Sequence, residues 1–249
     1  MPSALALGDA VASPLRGELR YGLELARLTA DREFVLPRRQ PNAPPVLLVP
    51  GFMAGDRSLS VLRGWLGRRG SPTAGSGIRF NADCGERAAV RVEMRLRRLV
   101  NRTGRRAVIV GQSRGGELAR VVTVRNPDLV SAVVMLGSPV RARLDVGPSV
   151  LNAVRSVARL GDLGIPGLFS SQCAEGDCCA AYRQDLNRPL PASVEAVAVY
   201  SRTDGIVSWP ACLDPDARHI EVKSSHTGMS VNRDVYRALA DVLEAQEES

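Results

Sequence analysis

A serine flanked by glycines is the first feature of this sequence that indicates chemistry. Residues 111–115 are Gly-Gln-Ser-Arg-Gly, a G-x-S-x-G pattern centred on Ser113. The pattern directly follows the apolar run 107–110 and directly precedes a segment of helical character. A sharp turn from strand to helix projects the serine hydroxyl away from the sheet, where it can act as a nucleophile. The sequence therefore predicts Ser113 as a nucleophile, with a glycine-rich turn and a capping serine as the alternative.

A serine hydroxyl needs a base to become a good nucleophile, and the chain has two histidines. His219 lies at the start of the apolar run 218–222, whereas His226 lies just beyond its end. Functional loops of a parallel sheet gather at the carboxyl ends of its strands. We therefore expect His226 to lie near Ser113 and to act as the base.

A carboxylate that orients the imidazole is expected at the same edge of the sheet. Asp204 follows the apolar run 194–200 and meets this condition, while Asp214 and Asp216 lie further along the connecting loop and remain alternatives. The resulting chain order of serine, aspartate and histidine is that of hydrolases with a nucleophile elbow.

Two backbone amides are expected to stabilise the negative charge that forms when a serine attacks a carbonyl group. One is the amide of Arg114, directly after the nucleophile. The other should come from the turn 50–54, where we choose Phe52, with Met53 as the alternative donor. A simple strand terminator at Pro50 is the competing interpretation of this turn.

Short apolar runs alternate with amphipathic segments through most of the chain. This alternation predicts an α/β fold, namely a mainly parallel, doubly wound sheet with helices on both faces. The expected strands are 46–49, 77–80, 107–110, 130–136, 194–200 and 218–222, and the expected helices are 58–69, 86–102, 117–125 and 233–244.

The chain divides into a preamble and one larger α/β domain. Residues 1–43 are expected to form a helical preamble and a linker, with an apolar stripe over 15–28 and prolines over 37–45. We expect this stripe to pack on the main domain, and a helix on a membrane surface is the alternative. Residues 44–249 form the main domain, whose regular alternation is interrupted at about 140–191.

Charge and hydropathy restrict the partners of the protein. The formal net charge is +7, but the arginines are scattered and only 4% of residues are aromatic, so we expect no nucleic-acid partner. No apolar run is long enough to span a bilayer, although peripheral membrane contact stays open. The first residues lack the basic region of a secretory signal, which predicts a cytoplasmic protein.

The cysteines give no metal-binding pattern along the sequence. Three of them have the spacing Cys-x4-Cys-Cys, which lacks the paired C-x2-C of a zinc ribbon, so we expect no metal and no cofactor. A local disulfide and buried free thiols are equally compatible with this spacing, and a disulfide would leave export open. The five cysteines are Cys84, Cys173, Cys178, Cys179 and Cys212.

Taken together, the motifs resemble the α/β-hydrolase superfamily, and in particular small bacterial serine lipases and esterases of the minimal-lipase type. The resemblance extends over about residues 44–245. It implies the α/β-hydrolase fold and an ester-hydrolysing triad, which Ser113, Asp204 and His226 match position by position. The segments that carry it are 46–52, 108–116, 134–139, 200–207 and 222–229.

Two residues depart from the pattern of these lipases. Pro50 stands where they usually have a histidine, and Arg114 stands where they usually have an apolar residue. Neither difference removes the backbone N–H groups of Phe52 and Arg114 that are expected to act as donors. A guanidinium beside the site is expected to repel a cationic substrate or to hold an acidic one.

The interruption at 140–191 falls where this superfamily inserts a cap or lid. An apolar helical stripe that includes Val154 is followed there by Phe169. We expect Val154, Phe169 and Met53 to contact the substrate, the first two by lining an acyl pocket above Ser113. Packing of this segment on the sheet is the alternative.

These expectations together predict a carboxylic-ester hydrolase that acts through an acyl-enzyme on a small-molecule or lipid ester. An acyltransferase with the same triad is one alternative, because it differs only in using an alcohol instead of water as the acceptor. A catalytically silent binding protein of the same fold is the other.

Overall fold

The centre of the molecule is a parallel β-sheet, seen in a computed structural model that describes residues 20–140 and 145–247. Within these residues the sheet has six strands in the order β2-β1-β3-β4-β5-β6, and every neighbouring pair is parallel. The fold class predicted from the sequence is therefore confirmed. The strands are β1 (Val46–Val49), β2 (Thr73–Gly75), β3 (Ala107–Gln112), β4 (Val130–Leu136), β5 (Glu195–Tyr200) and β6 (Arg218–Glu221).

Helices cover both faces of this sheet. They are α1 (Arg20–Thr29), α2 (Arg32–Val35), α3 (Ser60–Arg69), α4 (Gly85–Thr103), α5 (Arg114–Arg125), α6 (Pro148–Asp162), α7 (Gln172–Glu175), α8 (Ala180–Asn187) and α9 (Arg233–Ala245). Short 3-10 segments lie at Asp56–Leu59, Pro127–Leu129, Asp177–Cys179, Trp209–Cys212 and Thr227–Val231.

Side chains alternate between the two faces of each strand, and this alternation creates two apolar layers. Leu47 and Ile109 pack in the layer formed with α4, α5 and α8. Val46 and Val108 pack in the layer formed with α1, α3 and α9. Every residue of β1 and β3 is buried, as expected for central strands of a parallel sheet covered on both sides.

The prediction of a strand at 77–80 is wrong. The strand that pairs with β1 is β2, which ends at Gly75. Beyond it, the Asp56 carboxylate accepts hydrogen bonds from the backbone N–H groups of Ser76 (3.1 Å) and Gly77 (2.8 Å). Gly77 also has a positive φ of 79°. The backbone therefore turns away from the sheet and its donors are used by a side chain.

The described part of the N-terminal preamble packs on the main domain. Leu28 of α1 is fully buried in the same layer as α3 and α9. The guanidinium of Arg237 in α9 forms an ion pair with Asp31 at 3.1 Å. The first half of the predicted stripe, including Leu15 and Leu19, lies outside the described residues.

The segment between β4 and β5 both packs on the core and borders the site described below. Tyr182 of α8 is buried against α4, close to Gly85. The backbone N–H of Phe169 donates to the carbonyl of Ala82 at 2.7 Å. In the part of the chain that the structure describes, no helix is long and apolar enough to span a membrane.

Candidate active site

Ser113 occupies a strained turn between β3 and α5. Its backbone has φ 52° and ψ −125°, a conformation that L-residues rarely adopt. A Cβ added to Gly111 would collide with the carbonyl group of Gly115, and one added to Gly115 would collide with the carbonyl of Val49. The two glycines therefore allow the tight approach that the turn requires, and the serine hydroxyl projects at the carboxyl end of β3.

His226 and Asp204 form a buried pair at the same edge of the sheet. The imidazole Nδ1 lies 2.6 Å from Asp204 Oδ2, and both side chains are more than nine-tenths buried. The other carboxylate oxygen accepts from the backbone N–H groups of Ile206 and Val207, each at 2.8 Å. Three hydrogen bonds thus fix the carboxylate, which in turn orients the imidazole ring.

The alternative acids and the other histidine have different partners. Asp214 forms a buried ion pair with Arg120, and Asp216 lies 3.5 Å from the same guanidinium. The Nε2 atom of His219 forms a hydrogen bond with the backbone carbonyl of Asp214 at 2.7 Å. These residues lie away from the turn at Ser113, so the structure brings together only the residues chosen first.

Ser113 and His226 border one cavity of about 290 Å³. The side-chain amide of Gln112, the residue before the serine, donates to the carbonyl of His226 at 3.1 Å. The serine and the imidazole therefore face the same space, as is required if the hydroxyl is to donate a hydrogen bond to the ring. Hydrogen bonds of this kind often tighten only when substrate is bound.

Two backbone amides beside Ser113, those of Phe52 and Arg114, have no hydrogen-bond partner among the described residues. The amide of Met53, by contrast, donates to the carbonyl of Asn81 at 3.1 Å. Gly51 lies so close to the serine that a Cβ added there would be 3.4 Å from Ser113 Cβ. The turn after β1 therefore leaves the amide of Phe52, and not that of Met53, available for a ligand.

Asn81 is a supporting residue that the sequence did not indicate. Its side-chain NH2 group donates to the backbone carbonyl of Pro50 at 2.7 Å. Its backbone carbonyl accepts from the backbone N–H of Met53 and from Arg114 Nη1, each at 3.1 Å. Because Asn81 is buried, these bonds are shielded from water. It joins the turn after β1 to the residue that follows the nucleophile.

The side chain of Arg114 is held at the cavity wall. Its guanidinium donates to the carbonyls of Asn81 and Asp83 and lies 5.3 Å from the ring centre of Phe169. Among the described residues, its guanidinium forms no ion pair with a carboxylate.

A second cavity, of about 260 Å³, extends from Ser113 under α6. Val154, Phe169 and Phe52 line it, and the rings of the two phenylalanines are 6.0 Å apart. Met53 does not line it and is 45% exposed, so the structure does not place this residue with the other two expected substrate contacts.

Glu24 of α1 is a buried carboxylate below the segment that carries His226. It accepts hydrogen bonds from the hydroxyl of Ser224, from the N–H (2.8 Å) and hydroxyl (3.0 Å) of Ser225, and from Asn232 Nδ2 (3.0 Å). Its place on the apolar face of α1, four residues before Leu28, was a signal that could have identified it. Glu24 fixes both ends of the loop on which the imidazole lies.

Comparison with known proteins gives structural neighbours but no sequence relatives. No protein-family model matches the chain, and no curated protein matches it in sequence. The lipase BlEst2 of Bacillus licheniformis, in its mature form, superposes with a TM-score of 0.61 at 16% identity, over 84% of this chain and 95% of that one. One of two metagenome-derived lipolytic enzymes superposes with a TM-score of 0.58 at 16% identity, over 82% and 99%.

A third neighbour is an aryl esterase described as putative, from Burkholderia cenocepacia. It superposes with a TM-score of 0.53 at 13% identity, over 85% of this chain and 94% of that one. At such identities the likeness concerns the arrangement of the backbone. Together with the six parallel strands and the turn at Ser113, it shows that the chain has the α/β-hydrolase fold.

Proposed function

We propose that the protein is a serine-dependent carboxylic-ester hydrolase. The observation that carries this proposal is the buried pair of Asp204 and His226, which borders the same cavity as Ser113 in its strained turn. A serine and an imidazole on one cavity, with a carboxylate hydrogen-bonded to the imidazole, are the parts required for nucleophilic acyl transfer. The neighbouring structures described as lipases and an esterase agree with this reaction class.

In the first half of the reaction, Ser113 Oγ attacks the ester carbonyl while His226 Nε2 takes the serine proton. Asp204 holds the Nδ1–H tautomer and stabilises the imidazolium that forms. The imidazolium then gives its proton to the departing alcohol, and an acyl group remains on Ser113. In the second half, water loses a proton to His226 and cleaves this acyl-enzyme.

The amides of Phe52 and Arg114 are the proposed donors to the tetrahedral oxyanion. Both lack another partner among the described residues, and they lie on the two turns that meet at Ser113. Loss of one such donor typically raises the barrier by about 2.7–4 kcal/mol.

The proposed substrate is an ester with an apolar acyl chain, from a small molecule or a lipid. Val154, Phe169 and other apolar side chains line the cavity that leads from Ser113, so transfer of an alkyl chain from water into it is favourable. The charge of Arg114 at the wall disfavours a cationic group at this position and favours an acidic one.

A kinetic comparison of two serines on the same cavity tests the proposal. Ser113 and Ser170 both line the cavity, but only Ser113 lies in the turn. Ser113→Ala is expected to lower kcat for a short-chain p-nitrophenyl ester by a factor on the order of 10⁶. Ser170→Ala should leave kcat within a few-fold of the unsubstituted protein. Hydrolysis at an undiminished rate by the folded Ser113→Ala variant would overturn the proposal.

A further inference from the structure

Cys84 and three cysteines of the cap segment, Cys173, Cys178 and Cys179, meet beside the cavity that Phe169 and Val154 line, called the acyl cavity below. Cys84 directly precedes α4, Cys173 lies in α7, and Cys178 and Cys179 lie in the short 3-10 segment that follows. All four sulfur atoms lie within 4.8 Å of one another. The sulfur atoms of Cys84 and Cys179 are 3.2 Å apart, and those of Cys173 and Cys178 are 3.6 Å apart.

These distances match the spacing of four ligands around one metal ion. A zinc–sulfur bond of about 2.3 Å in tetrahedral geometry places the sulfur atoms about 3.8 Å apart. A disulfide bond would need about 2.05 Å, and all four thiols are free in the structure. Sites of four cysteine ligands are typical of structural zinc, and they also occur in iron–sulfur centres.

Positive charge beside the cluster fits an anionic metal centre. One Zn²⁺ with four thiolates carries a net charge of −2. Arg87 lies on the first turn of α4, three residues after Cys84, and forms an ion pair with Asp83 at 2.7 Å. Arg183 donates to the carbonyl groups of Cys173 (3.4 Å) and Gly176 (2.9 Å), which places a second guanidinium on the same loop. The charge of Arg183 favours an anionic centre on this loop, whereas that of Arg87 is partly neutralised by Asp83.

We propose that Cys84, Cys173, Cys178 and Cys179 bind one Zn²⁺ as a structural site. The ion binds four thiolates, and the four thiol protons go to solvent. Protein ligands then fill every position of the tetrahedron, so no position remains for water or substrate and the ion takes no part in ester hydrolysis.

The site would join the cap segment to the main domain next to the proposed substrate. Cys173 and Cys179 line the same cavity as Ser113 and Phe169, and Cys84 lies at the start of α4. The metal therefore closes a long loop of the chain and fixes one wall of the cavity. The proposal revises our expectation of no metal, since that expectation considered only the local spacing of three cysteines and not the distant Cys84.

Metal analysis of four proteins tests the site. The proteins, free of any metal-binding tag, are purified under reducing conditions from zinc-supplemented medium, and zinc is measured by mass spectrometry. The unsubstituted protein is expected to hold one zinc ion per chain. Cys84→Ser and Cys178→Ser should each lose it, whereas the control Cys212→Ser should retain it, because Cys212 is a buried free thiol outside the cluster.

Cys178 keeps the test decisive if Cys84→Ser fails to fold, because Cys178 is exposed and its substitution disturbs little packing. Cobalt binding gives a second readout, since thiolate coordination produces charge-transfer absorption that Cys178→Ser should lose. Absence of zinc from the folded unsubstituted protein after loading would refute the site. A separate preparation purified without reductant is mapped under non-reducing conditions, and finding Cys84 joined to Cys179 and Cys173 joined to Cys178 would refute the site as well.

Discussion

Replacement of Glu24 by glutamine tests whether the N-terminal helix positions the catalytic loop. Each carboxylate oxygen of Glu24 accepts from one hydroxyl and from one N–H group: Ser224 and Asn232 on one oxygen, the two groups of Ser225 on the other. In Glu24→Gln one oxygen becomes an NH2 group. The hydroxyl on that side can rotate and accept from it, but the N–H donor on that side cannot, so one buried donor loses its partner.

A hydrogen bond to a charged group contributes about 1.5–3 kcal/mol, so the free energy of unfolding should fall by about that amount in Glu24→Gln. Displacement of the loop that carries His226 should also lower kcat, since a shift of about 1 Å in a catalytic group can reduce the rate about 10²-fold. The Michaelis constant should change less, because the acyl cavity is lined by other segments.

Urea denaturation and steady-state ester hydrolysis measure the two effects. Glu33→Gln is the matched control, because Glu33 lies on the same part of the chain and its side chain is 75% exposed. The control should change stability by no more than about 0.5 kcal/mol and leave kcat unaltered. If Glu24→Gln lost stability while kcat stayed unchanged, Glu24 would anchor the helix without positioning the imidazole, and that result would refute the reasoning.

Three further substitutions address separate parts of the account. Asp204→Asn should lower kcat by about 10⁴ with little change in unfolding midpoint, because an asparagine no longer selects the Nδ1–H tautomer; a drop of less than tenfold would contradict the proposed triad. Phe169→Ala should enlarge the acyl cavity and shift the preference among p-nitrophenyl esters of different acyl length towards longer chains. An unchanged preference would contradict the assignment of Phe169 as a residue that contacts the acyl chain. Burial alone would raise the pKa of Asp83, but hydrogen bonds from Arg87 and from the backbone of Cys84 outweigh it and hold the pKa below its usual range. The ionised Asp83 therefore stabilises the folded state at pH values above about 3.9, the pKa of an aspartate in the unfolded chain. This stabilisation is lost as the pH falls through the lower pKa of the folded state. Urea titrations should therefore find Asp83→Asn less stable by about 1.5 kcal/mol or more at pH 7 and the difference shrinking in acid, whereas a constant difference would contradict the assignment.

The elements that could be predicted from the sequence are those determined by local pattern. β1 and the first four residues of β3 are continuous apolar runs because both faces of a central parallel strand are buried. The turn at Ser113 follows from its glycines, and the choice of Asp204 and His226 follows from the rule that functional loops gather at one edge of the sheet.

The features that sequence reasoning missed depend on contacts between distant parts of the chain. The region around Gly77 has the composition of a strand, but the carboxylate of Asp56 takes its backbone donors. Cys84 meets the other cysteines only through the packing of the cap on α4. Glu24 finds its partners at the other end of the chain. No local periodicity encodes such pairings.

Mapping the site of reaction with a fluorophosphonate probe tests the central claim most directly. The probe phosphonylates only a serine that a neighbouring base activates, and digestion followed by mass spectrometry locates the adduct. We expect one adduct, on Ser113, formed by the unsubstituted protein and abolished in His226→Ala. An adduct on another serine, or a folded protein that does not react with the probe at all, would contradict the assignment of Ser113 as an activated nucleophile.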